Sequence, residues 1–151
     1  MEIRSVLKGK TLLVGRKIGQ NKFDVLGASL RVEAKPQKYP IGGTVIAWER
    51  GLLGKFSEGD FESIILHRFL YKPVKAYIED PHEILTEAKR ILPAGGMLIV
   101  NSYLLDDATK SFRSAETFYT EVEIMTMLED HDLSKVTPVN IGGMRLFVCE
   151  R

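Results

Sequence analysis

Short apolar runs alternating with two capped amphipathic helices, followed by a closing hairpin, predict an α/β domain. The same order predicts a mainly parallel sheet of six to seven strands with an antiparallel C-terminal strand and helices on both faces. Runs such as 11–14 and 63–66 are continuous rather than alternating, as in strands buried on both faces of a parallel sheet. At 151 residues the chain has the length of one domain, and residues 1–151 are read as a single unit, with no repeat, low-complexity tract or linker.

Thr11-Leu12-Leu13-Val14, ending in Gly15, reads as the first strand. Leu30-Arg31-Val32-Glu33-Ala34 alternates, stops before Pro36 and reads as the second. Thr44-Val45-Ile46-Ala47-Trp48 is rich in β-formers and reads as the third, Ser63-Ile64-Ile65-Leu66 as the fourth. Asp80 is an N-cap followed by Pro81 at the first helical position and Glu83 at the third; Ile84, Leu85, Ala88, Ile91 and Leu92 then form one stripe. That helix ends by Pro93-Ala94-Gly95-Gly96, which launches Met97-Leu98-Ile99-Val100 as the fifth strand. Residues 106–115 are polar and read as a loop. Thr120 and Glu123 form a second capping box, and Val122, Met125 and Leu128 carry an apolar face to about Asp130. Residues 136–139, a turn over 140–143 and residues 144–149 complete the hairpin.

Composition narrows the partners. The chain is 44% hydrophobic and 27% charged, and 21 Lys+Arg against 20 Asp+Glu leave a formal charge of +1, so nothing global demands nucleic acid. No segment approaches the roughly 20 apolar residues that span a bilayer, so no membrane partner is expected and the expected compartment is the cytoplasm. The one cysteine, Cys149, lies in an apolar strand and reads as a buried thiol.

From residue 61 onward the chain resembles the class I S-adenosylmethionine-dependent methyltransferases. Phe61-Glu62-Ser63-Ile64-Ile65-Leu66, the capped helix, and Pro93-Ala94-Gly95-Gly96-Met97-Leu98-Ile99-Val100 are similar to that family's second half. The resemblance implies a Rossmann-like three-layer sandwich and S-adenosylmethionine as cofactor. It also implies a site at the strand ends. The family's glycine loop after strand one maps onto Val14-Gly15-Arg16-Lys17-Ile18-Gly19, so Gly15 and Gly19 align and Lys17 replaces the middle glycine. Leu13 stands where the family has an acid. A side chain at Lys17 requires another loop path or a cofactor seated farther out; a bare turn explains both glycines equally well.

Val32-Glu33-Ala34-Lys35-Pro36 resembles the segment whose acid takes both ribose hydroxyls, which makes Glu33 the ribose residue. Trp48-Glu49-Arg50 occupies the adenine position, with Glu49 on the amino group, Arg50 beside it, and Trp48 stacking on the ring or lying in the core. The helix that normally follows strand two has no room in residues 37–43. His67, after strand four, is the candidate base for an oxygen or nitrogen acceptor.

Other chemistries lack their motifs. There is no Asn-Pro-Pro-Tyr for amino-group methylation of bases or glutamine and no Gly-x-Ser-x-Gly elbow. No Cys or His cluster has metal-ligand spacing, and His82 and His131 read as solvated residues at helix ends. Helices that would cover an acceptor pocket are missing ahead of strand one, which leaves a large acceptor, a partner subunit or homodimer, or no catalysis. Three functions stay open: a methyltransferase with an abbreviated cofactor pocket and unknown acceptor; a methyltransferase-like binding or scaffolding domain; and nucleotide or nucleic-acid binding through Arg16, Lys17, Lys22, Lys35 and Lys38.

Overall fold

A computed structural model of the chain describes residues 6–17, 23–24, 44–47, 52–67, 80–101, 104, 119–141 and 144–151. The strands are β1 (Thr11–Lys17), β2 (Phe23–Asp24), β3 (Thr44–Ala47), β4 (Ser63–His67), β5 (Met97–Asn101), β6 (Ser134–Ile141) and β7 (Met144–Glu150). The helices are α1 (Pro81–Ile91) and α2 (Glu121–Asp130), with one 3-10 turn at Leu52–Lys55.

The result is a mixed α/β architecture around a mostly parallel sheet. Along the sheet β1, β4, β5, β7 and β6 are successive neighbours, and β3 flanks β1. β3, β1, β4 and β5 run parallel; β7 is inserted antiparallel between β5 and β6. β2 pairs antiparallel with the last two residues of β1, a strand too short to show a sequence period.

Local signals placed the helix ends well but not the buried face of α2: Val122, expected on that face, is 72% exposed, and Ile124, Met127 and Leu128 are the residues that turn inward. Asp80 has extended backbone (φ −64°, ψ 118°), and its carboxylate accepts from the His82 backbone N–H at 3.0 Å. The cap is thus made to the second helical residue, with Pro81 at the first position and Lys89 and Arg90 in the last turn, where the helix dipole favours cations. At α2 both halves of the Thr120–Glu123 capping box form, at 3.2 and 3.1 Å. Gly95 has φ +80°, and a Cβ on Gly96 would lie 2.9 Å from the Pro93 carbonyl oxygen, so this glycine pair makes the tight entry into β5.

Strand alternation sorts the core into two faces. Leu12, Val14, Ile64, Leu66, Leu98, Val100, Phe147 and Cys149 form one cluster with α1 residues Ile84, Leu85, Ala88 and Ile91 and α2 residues Ile124, Met127 and Leu128. Leu13, Ile65, Ile99 and Leu146, the alternate positions, are also buried. Helices were expected on both faces; the two described helices share one. That shared face also receives the 3-10 turn through Leu53. Arg90 fixes the turn by donating to the Phe56 carbonyl at 2.7 Å and the Leu53 carbonyl at 3.0 Å. Phe56 meets Phe61 edge to face at 5.1 Å.

Cys149 is buried as expected, with Sγ 3.6 Å from the Leu98 carbonyl oxygen, and burial pushes its thiol up to about 12, which leaves it unreactive. Among the described residues, no helix is long and apolar enough to cross a membrane.

Candidate functional site

The C-terminal ends of parallel strands are where open α/β sheets bind ligands, because the loops leaving them diverge and open a crevice. Here those ends belong to β1, β3, β4 and β5. The register aligns Val14 with Leu66 and Leu66 with Val100, then His67 with Asn101 at the tips of β4 and β5. On the other flank Val14 aligns with Ile46 and Gly15 with Ala47. Thus Gly15, Ala47 and His67 stand on one edge of one sheet, although they are far apart in sequence.

The first strand does not stop where the sequence placed its end. β1 continues through Gly15 and Arg16 to Lys17, and Arg16 and Lys17 pair with Asp24 and Phe23. Three further strand residues extend β1 roughly 10 Å beyond Val14. Pairing with β2 supplies backbone partners that a sequence window around Gly15 does not contain. Gly19 lies outside the described residues, as do Glu33, Trp48, Glu49 and Arg50.

The pairing of β1 fixes which strands lie beside it. β3 takes β1's flank from Leu12 to Gly15, and β4 takes the other from Thr11 to Val14. Both edges of that stretch are therefore filled. The strand in the second-strand slot is Thr44–Ala47, which the sequence order had ranked third. Glu49 follows its last residue by two positions.

Asn101 is a buried polar residue on the same edge that the sequence reading did not single out. It closes β5, is only 8% exposed, and aligns with His67 on one side and Leu146 on the other. The one available signal was a polar residue ending the apolar run 97–100.

A second polar group lies on the helix face. His82 and His131 were read as solvated; His82 is exposed and His131 half-buried, and their rings meet at the surface, with Nδ1 of His82 2.9 Å from Nε2 of His131. Burial, then the positive charge that His82 acquires on protonation, then Lys89 hold the His131 imidazole below its ordinary range. Nearby Tyr119 is raised by burial first, then by Asp80 and Glu123. Among the described residues no three metal-ligating side chains gather. A cleft of about 330 Å³ lined by Lys8, Glu62 and residues 93–96 opens at the opposite, N-terminal edge of the strands, away from Gly15, Lys17 and His67.

No protein-family model matches the chain, and no curated protein matches it by sequence. Solved structures do match by fold. PigF, solved with SAH, is 19% identical with a TM-score of 0.53 over 73% of this chain and 36% of PigF. A putative O-methyltransferase from Nostoc punctiforme is 17% identical with a TM-score of 0.53 over 73% of this chain and 37% of its own. A SAM-dependent methyltransferase from Aquifex aeolicus is 18% identical with a TM-score of 0.51 over 72% and 53%. The chain thus has the fold of the class I SAM-dependent methyltransferases, and it spans from about a third to about half of the length of these three proteins.

Proposed function

We propose that this chain is an S-adenosylmethionine-dependent methyltransferase domain with an abbreviated cofactor pocket, built as a Rossmann-like three-layer sandwich around six to seven strands. The observation that carries this reading is the strand order, with parallel β3, β1, β4 and β5 and antiparallel β7 inserted before β6, in a fold shared with methyltransferases. Function does not follow from fold alone. The placement of Gly15, Ala47 and His67 on the ligand-binding edge adds the local argument.

This reading carries one reassignment. Because Thr44–Ala47 fills the slot beside β1, the ribose role passes from Glu33 to Glu49, whose paired carboxylate oxygens suit two adjacent hydroxyls. Arg50 stands next to it in sequence, and Trp48 precedes it as the candidate for stacking on the adenine or for the core. Gly15 and Lys17 belong to the prolonged β1, and Gly19 follows; a strand that reaches farther out suits a cofactor seated farther out.

When bound, S-adenosylmethionine supplies an electrophilic methyl carbon on a sulfonium. The chain's part is chiefly to orient an acceptor toward that carbon, so the lack of a covalent catalytic motif does not count against activity. His67, at the tip of β4, is the group to take the acceptor's proton. The acceptor is unassigned, and a second copy or another subunit is the proposed cover for its pocket. The proposed compartment is the cytoplasm.

A second reading has its own observation. Arg16 and Lys17 lie in a paired strand where methyltransferases carry a glycine loop, which favours a binding or scaffolding domain that has lost productive cofactor contact. The same two cations keep nucleotide or nucleic-acid binding as a lower-ranked reading. Calorimetric titration with S-adenosylmethionine and its demethylated product decides between them. Saturable heat supports the enzyme reading; no heat from wild type, with binding restored in Lys17→Gly, establishes the degenerate domain. If neither protein binds, the pocket assignment is wrong.

A further inference from the structure

We infer that His82 and His131 form a proton-sharing latch between α1 and α2, which keeps its hydrogen bond with one added proton and opens with two. The facing nitrogens are 2.9 Å apart while the ring centroids are 5.2 Å apart, a difference of about two ring radii. The nitrogens therefore point at one another along the line joining the rings, whose planes differ by only 25°. This is the geometry of a straight N–H···N hydrogen bond. In the neutral pair one facing nitrogen donates and the other accepts. One added proton can enter at an outward nitrogen, leaving an imidazolium donating to a neutral imidazole, a charge-assisted bond. A second proton puts hydrogen on both facing nitrogens, and two cations then meet with no acceptor between them.

The surroundings set the direction. On α1, Lys89 lies seven residues from His82 on the same stripe and pairs with Asp132 at 3.7 Å, so a second polar contact runs along this seam. Asp80 is engaged through His82's own backbone N–H, and Asp130 and Asp132 flank His131. The two aspartates favour a cationic His131, while burial, a protonated His82 and Lys89 oppose it. His131 is also the C-cap of α2, and its backbone N–H donates to Met127 and Leu128 carbonyls at 3.2 Å. The Leu133 N–H donates to Leu128 as the chain turns into β6. Opening the latch therefore acts on the end of α2.

The test is side-chain nitrogen NMR of the whole chain across a pH titration, with amide exchange followed at His131 and Leu133. Two coupled steps, rather than two independent ones, are expected in wild type. In His82→Asn or His131→Gln the remaining histidine should titrate in one step. Below the lower step, exchange protection at His131 and Leu133 should fall about fivefold to tenfold, corrected for intrinsic rates, in wild type. It should stay constant in the double variant His82→Asn/His131→Gln, whose amides can bond without titrating. The latch is overturned if each wild-type histidine titrates in one step unchanged by replacing the other, or if protection ignores the lower step.

Discussion

The two edges of the parallel strands are built differently. At the N-terminal edge the chain is sewn to itself. Ser63 Oγ both accepts from the Lys8 N–H and donates to the Lys8 carbonyl, each at 2.7 Å. Gly95 N–H donates to the Arg151 carbonyl at 3.0 Å and Arg151 N–H returns to Gly96 at 2.9 Å, while the Arg151 guanidinium donates to the Leu92 carbonyl. The C-terminal edge instead gathers the candidates Gly15, Lys17 and His67, with buried Asn101 alongside. Buried polar groups that satisfy one another hold a fold, whereas a crevice at strand ends leaves side chains for a ligand. The N-terminal edge thus carries the bonds that close the fold around a small cleft, and the C-terminal edge carries the residues that the proposed function uses.

The largest expected effect lies beneath both edges. Leu85, fully buried on α1, should lose about 2–5 kcal/mol of stability on substitution by Ala, read from urea midpoints. If that loss is no greater than for an edge hydrogen bond, the shared core is not what supports the edges.

The proposed cofactor role is tested by Glu49→Ala. It should weaken S-adenosylmethionine binding by about 1.5–3 kcal/mol, the range for hydrogen bonds to a charged group, with little change in the urea midpoint. Glu33→Ala should leave the affinity alone. The reverse pattern in calorimetry would return the ribose role to Glu33 and undo the assignment drawn from strand pairing.

At the N-terminal edge, Ser63→Ala removes the hydroxyl that bonds both Lys8 backbone groups and should cost about 0.5–1.5 kcal/mol of stability while cofactor affinity stays constant. A loss of affinity would show the two edges to be coupled. Asp80→Ala, which removes an exposed cap, should cost about 1 kcal/mol in the same denaturation experiment. A cost matching Leu85→Ala would mean that the cap, not the buried face, anchors α1.

The smallest effect is on pH. The His131 imidazole is held below its ordinary range when folded, so the unfolded chain takes up that proton first. Its contribution is neutral above the ordinary histidine value of about 6.5 and destabilising as pH falls through and below it. Urea midpoints on either side should therefore show an acid loss that His131→Gln reduces. An unchanged slope would remove His131 from the account.

Local chemistry made α1, α2, β4, β5 and the closing hairpin legible in the sequence. Asp80, Pro81 and the Thr120–Glu123 box act within one helical turn, and continuous runs such as Ser63-Ile64-Ile65-Leu66 announce buried parallel strands without reference to a partner. The site was legible only as positions at strand ends. Its arrangement depends on which strand lies beside which, and pairing is made between residues far apart in the chain. Only the tertiary structure decided that Thr44–Ala47 lies beside β1, that β1 runs on to Lys17, and that α1 and α2 share a face. It alone brought His82 to His131. Caps and periods are written over a few neighbouring residues; register and ring-to-ring contact arise when distant segments compete for the same edge or the same burial.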